Sequence, residues 1–228
     1  MKNEAMNNRE TREQEPIRTN WVVITGPPSS GKTTTLKDLM EKLQAQNYSQ
    51  VEEQARKLIE EDKKRGVQRF GDRTYEINLN NRVLSERERI EASLPKDSSI
   101  LMDRGTPDVV SYMRYYDQNE QAAIEASKKF RYAKVFYLEP LVSYEQDVTR
   151  VENPEFAKWM HENLPKVYEE LGYEIVRVPV FPYSERTYES EEEKRKDSLG
   201  QRSKFIMEKI SEGLRPLRAS GPEGGGRE

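Results

Sequence analysis

One stretch restricts the fold of this chain more than any other: Thr25-Gly26-Pro27-Pro28-Ser29-Ser30-Gly31-Lys32-Thr33-Thr34-Thr35. An apolar run, Trp21-Val22-Val23-Ile24, precedes it, and Leu36, Leu39, Met40 and Leu43 follow at helical spacing. Strand, then G-x-x-x-x-G-K-[ST], then helix is the context in which such a loop binds phosphate. Backbone N–H groups must point inward around the anion, and glycine at 26 and 31 leaves room for that approach. Pro27, Pro28, Ser29 and Ser30 complete the loop. Lys32 is placed to reach the β- and γ-phosphates, Thr33 to ligate Mg²⁺ and Thr34 to support the α-phosphate, with the positive end of the following helix behind them. The expected ligand is ATP or GTP with Mg²⁺. No base-reading N-K-x-D pattern occurs to choose between the two.

Around that loop the sequence reads as alternating strands and helices. Strands are expected at Trp21–Thr25, Tyr48–Val51, Ser98–Asp103, Lys134–Leu138 and Glu174–Val178. Helices are expected at Thr33–Gln46, Glu52–Lys63, Tyr75–Ser93, Pro107–Tyr116, Glu120–Phe130, Glu155–Leu171 and Lys194–Gly213. Pro165 should kink or divide its helix, and Gly172 should stop it. This alternation predicts an α/β fold with a parallel sheet and helices on both faces, because right-handed crossovers place them there. Ligands then bind beyond the carboxyl ends of the strands. Lys64–Arg73, with Gly66 and Gly71, reads as an irregular loop and a lip of a substrate pocket. Residues 1–18 read as a disordered arm, 19–213 as one domain, and 214–228, with Gly224-Gly225-Gly226, as a disordered tail.

Composition narrows the chemistry. The 228 residues hold no cysteine and one histidine, which excludes disulfides, thiolate catalysis and cysteine or histidine metal clusters. Charged residues make up 35% against 34% hydrophobic, so the core must be concentrated in a few strands and helix faces. A net charge of -3 argues against broad nucleic-acid binding by a basic surface. The start, MKNEAMNNRE, lacks the apolar centre of a signal peptide, and no run is long enough to span a membrane, so a cytoplasmic location is expected.

Asp103 closes a strand of apolar residues and would lie near the loop if the two strands are neighbours, where a carboxylate can hold Mg²⁺ through water. The competing reading is a cap for the helix opened by Gly105-Thr106-Pro107. Arg104 and Arg150 are candidates to neutralise charge on a transferring phosphoryl group, Arg150 in the polar segment where a lid would lie. Glu53 and Arg56 share a helix face and can bracket a substrate hydroxyl, or form only a surface ion pair. Asp108 is the alternative proton acceptor. His161 has no obvious acid partner in the sequence and reads as surface or core packing.

Taken in order, GPPSSGKTT, VEEQARKLI, ILMDRGTPDVVSY, VFYLEP, DVTRVE, YEELGYEIVRVPV and RSKFI resemble the AAA-labelled P-loop family that includes the nicotinamide riboside kinase domain of NadR-type proteins and the TRPL-translocation-defect protein. The resemblance covers Trp21 to Ile210. It implies a three-layer nucleoside/nucleotide-kinase-like P-loop NTPase fold with a five-stranded sheet in the order 2-3-1-4-5. It also implies that Glu53, Arg56, Asp103, Arg104, Asp108, Arg150 and Pro179 line the site. Relatives of two kinds then define two expectations. One is an ATP- and Mg²⁺-dependent kinase-like enzyme acting on a small nucleoside-like or other polar metabolite. The other is a nucleotide-dependent switch that binds a protein or an anionic lipid.

Overall fold

The computed structural model describes residues 15–67, 72–141, 154–181 and 187–212. In chain order its elements are β1 (Ile17–Arg18), β2 (Trp21–Thr25), α1 (Lys32–Leu43), β3 (Ser49–Val51), α2 (Gln54–Lys64), α3 (Arg73–Ser93), β4 (Ile100–Asp103), α4 (Thr106–Tyr115), α5 (Gln121–Lys128), β5 (Phe130–Arg131), β6 (Lys134–Leu138), α6 (Pro154–Glu170), β7 (Ile175–Val178) and α7 (Glu191–Ser211). The main sheet is parallel throughout, in the order β3-β4-β2-β6-β7. Counted among its own strands, this is 2-3-1-4-5. Asp103 pairs in register with Ile24, so the β4 carboxylate and the start of the phosphate loop share one edge of the sheet.

β2 lies at the centre, and all of its residues are buried, which explains an apolar run without polar alternation. Its side chains alternate between two cores. Trp21 and Val23 pack with Met160, Leu164 and Tyr168 of α6 on one face. Val22 and Ile24 pack with Leu36 and Leu39 of α1 and Ile206 and Ile210 of α7 on the other. A third cluster, around Leu84, Val110, Met113 and Ala123, joins α3, α4 and α5. Among the described residues no helix is long and apolar enough to cross a membrane.

Three local expectations change. Ile17–Arg18 is not free: it pairs with Phe130–Arg131 through backbone bonds from Ile17 to Lys129 and from Thr19 to Arg131, each 3.0 Å. That pairing needs no apolar period, and it takes Phe130 out of the expected helix. Glu53 is the extended residue that caps α2 rather than part of its first turn. Pro165 does not divide α6. A proline at 165 leaves the carbonyl of His161 without its helical donor, and the Tyr137 hydroxyl of β6 lies 3.2 Å from that oxygen and 2.8 Å from His161 Nδ1. Gly172, at φ 76, ends α6 as expected, with Tyr173 donating back to Tyr168.

Candidate functional site

The loop after β2 holds Gly26, Ser29 and Gly31 at positive φ, the last being the left-handed cap of α1. Gly26 is required by space as well as by conformation, since a Cβ there would lie 2.7 Å from the carbonyl oxygen of Leu138. Ser29 is a non-glycine at φ 59, a conformation held at some cost where the loop demands it. Pro27 and Ser30 are buried, Pro28 is half-buried, and Thr33 and Thr34 stand exposed on the first turn of α1. Lys32 is 8% exposed, and its Nζ donates to the carbonyls of Gly26 and Pro27, both at 2.9 Å. Burial, with the like charge of Arg104 beside it, brings the Lys32 ammonium down to about 7.

Four charged side chains meet beside this loop. Arg104, left-handed at φ 65 just after β4, donates through Nε to Glu53 at 2.8 Å and through Nη1 to Asp108 at 3.0 Å. Burial works to raise the Glu53 carboxyl, but Arg104, Lys32 and Arg56 outweigh it and carry the group down to about 2. Arg56 lies 3.5 Å from Glu53 and donates to Thr33 Oγ1 at 3.2 Å, so the expected pair also touches the loop.

Asp103 and Asp108 have opposite fates. Asp103 is 5% exposed, its Oδ1 is buried without a hydrogen bond among the described residues, and burial raises its carboxyl despite Arg104. Asp108 accepts from Thr25 Oγ1 at 2.7 Å, Tyr168 Oη at 2.6 Å, Arg104 and the Gly105 N–H. Asp108, not Asp103, therefore caps α4, and its acceptor sites are taken, which removes it as a reserve proton acceptor. Asp103 and Thr33 line one cavity with Glu53, and the orphaned Asp103 oxygen fits a hydrated cation there.

Two cavities of about 730 Å³ flank Glu53 and Arg56. The first lies between α1 and α2, along the exposed edge of the sheet at Gln50. The second is enclosed by α2, α3 and α4 and opens on Pro28 and Ser29 of the loop. Tyr112, Tyr116 and Phe156 supply its aromatic wall, with Tyr112 and Phe156 5.3 Å apart between ring centres. Arg87 of α3, 1% exposed, also lines it; Nη2 donates to the Asp103 carbonyl, and Nη1 has no partner among the described residues. Arg87, Tyr116 and Phe156 belong to no short motif, and a charged residue at 87 reads in the sequence as the outer face of its helix; Tyr112 closes the segment ILMDRGTPDVVSY, which gives it no role by itself. Pro179 is exposed just past β7 and lines neither cavity. Arg150 lies outside the described residues. His161, expected to lack an acid partner, has Glu139 at 3.8 Å, itself paired with Arg177 at 2.9 Å.

Solved structures share this architecture at low identity. The NadR protein in complex with NR superposes with a TM-score of 0.54 at 16% identity, covering 82% of this chain and 51% of that one. Thymidylate kinase from Ehrlichia chaffeensis gives 0.56 at 14%, covering 86% of this chain and 100% of the kinase. Deoxyadenosine kinase from M. mycoides gives 0.55 at 15%, covering 84% and 98%. The chain thus spans about half of the NadR chain and the full length of the smaller kinases. Among curated proteins none matches its sequence. The profile of the AAA-domain family matches residues 21–186, from the first residue of β2 past the end of β7. With a kinase-like P-loop fold around that matched segment, the chain belongs to the AAA-domain family.

Proposed function

We propose that this protein is an ATP- and Mg²⁺-dependent kinase that transfers the γ-phosphoryl group to a hydroxyl of a small nucleoside-like or other polar metabolite. The observation that carries this reading is the second cavity, which opens on the phosphate loop at one end and on Glu53 and Arg104 beside it. Its aromatic wall suits a flat heterocycle, and the unpaired Nη1 of Arg87 offers a buried donor to a polar substituent. In this scheme the loop and Lys32 hold the phosphates, and Thr33 and Asp103 hold the metal. Mg²⁺, when bound, supplies charge neutralisation at the phosphate oxygens. Arg104 anchors Glu53, and Glu53 receives a hydrogen bond from the acceptor hydroxyl. A carboxyl held near 2 is a weak base, which suits a loose phosphoryl-transfer transition state in which the hydroxyl proton leaves late. Arg150 is proposed as the lid cation on its sequence position.

The test is a transfer assay of purified protein with ATP and with GTP against a panel of nucleosides and polar metabolites, with hydrolysis alone as the control. A phosphorylated product supports the kinase. Tight nucleotide binding with no product across the panel supports the second reading, a nucleotide-dependent binding module. One observation favours that alternative: Glu53 is already engaged by Arg104 and Arg56.

A further inference from the structure

α7 begins after the segment matched by the family profile, yet it reaches back to the phosphate loop. Its Arg202 is 4% exposed and donates through Nη1 to the Ser30 carbonyl at 2.9 Å, across 172 residues of sequence. The contact is close-packed: a Cβ added to Gly31 would stand 3.1 Å from the same nitrogen. The second terminal nitrogen, Nη2, is buried with no hydrogen bond, and no carboxylate among the described residues pairs with the guanidinium. Lys32 and Arg104 have Glu53, Asp103 and Asp108 around them, whereas Arg202 has no such company.

We infer that Arg202 is a positioning residue of the phosphate loop, and that the anion bound by the loop compensates its buried charge. The inference rests on the proposed nucleotide binding. In a trans peptide the carbonyl and the next N–H point in opposite directions. Pinning the Ser30 carbonyl against α7 therefore turns the Gly31 N–H away from α7, toward the side of the loop on which phosphate sits. That N–H is one of the inward donors an anion nest requires. An isolated buried cation is costly without a counter-charge, and a polyphosphate brings one. Arg202 thus orients one donor of the loop and raises the potential behind it, without touching the ligand.

The experiment is calorimetric titration of the full chain with ATP, GTP, inorganic tripolyphosphate and unphosphorylated adenosine, using wild type, Arg202→Gln and Arg202→Lys. Loss of one charge-assisted contact predicts that Gln weakens nucleotide and tripolyphosphate binding by about 10–100-fold and leaves adenosine unchanged. Lys, which keeps the charge, restores most of the affinity at pH 7. Its buried ammonium then sheds its proton in mildly alkaline solution, so affinity falls between pH 7 and about 9.5 more steeply than in wild type. That profile serves as the readout if the Gln variant does not fold. Wild-type affinity in a folded Gln variant, or a Lys profile parallel to wild type, would overturn the inference and leave nucleotide binding standing. Absence of binding to wild type itself would remove both.

Discussion

The phosphate loop and the second cavity meet at Glu53 and are built in opposite ways. The loop is contiguous, from Gly26 to Thr34, and its shape follows from local backbone demands: positive φ at Gly26 and Gly31 and the absence of a Cβ facing Leu138. The cavity draws on α2, α3, α4 and Phe156 of α6, so its shape exists only after those helices have packed. Local chemistry can be written in a short motif, but a cavity enclosed by distant helices cannot. The loop is accordingly common to many activities, whereas the cavity would set the substrate.

The largest expected effect lies at the junction. Glu53→Gln should lower phosphoryl transfer by about 10²–10⁴-fold while ATP affinity changes little, because the loop is untouched. Since the carboxyl stands at about 2, the wild-type rate should show no loss attributable to its protonation between pH 4 and pH 6. Parent rates in the Gln variant, with a substrate in hand, would show that Glu53 does not receive the hydroxyl proton and that the two regions do not join functionally there.

On the loop side, Lys32→Ala should weaken ATP or GTP by about 100-fold, since it removes both a charge-assisted contact and the charge balance of the nest. Binding of the acceptor alone should survive, and equilibrium dialysis with labelled acceptor checks it. Equal losses for both ligands would show that the two regions are not separable.

Asp103→Asn should weaken Mg²⁺-nucleotide by about tenfold more than metal-free nucleotide, because the amide keeps the shape and loses the charge. Titrations with Mg²⁺ and with EDTA decide; the same loss in both would make Asp103 a structural carboxylate. On the cavity side, Tyr116→Ala should raise the KM for the acceptor by about 5–10-fold through lost aromatic contact, with the KM for nucleotide unchanged.

The smallest effect is a fraction of a proton. With Lys32 lowered to about 7 by burial and by Arg104, the free ammonium is mostly deprotonated at pH 8. Bound phosphate favours the charged form and raises that value, so nucleotide binding takes up protons and weakens as pH rises above 7. Folding has the opposite sign: the folded, unliganded protein binds this proton less tightly than the unfolded chain, so stability from this group should rise with pH between about 7 and 10.5. Binding heats at pH 8 in buffers of different ionisation enthalpy measure the uptake, which Lys32→Arg should abolish.

Particular residues mark how far the sequence could be read. The loop, β2 and Asp103 were legible because motif, apolar run and strand end coincide in one place. The capping role of Asp108 was not legible, because its donors come from Thr25, Tyr168 and Arg104 on other segments. Arg202 opens the segment RSKFI, but its contact with the phosphate loop was not legible there, because the Ser30 carbonyl it meets lies 172 residues away. The Ile17 pairing is made by backbone groups, which every residue except proline presents alike.

That short pairing fixes the direction from which the chain enters. β1 is clipped alongside β5, and the chain then runs into the amino end of β2, so the entry lies at the pole of the sheet opposite the phosphate loop. A surface tether or a fused module joined upstream of Glu15 would approach the domain from behind. The phosphate loop would face outward on an immobilised molecule.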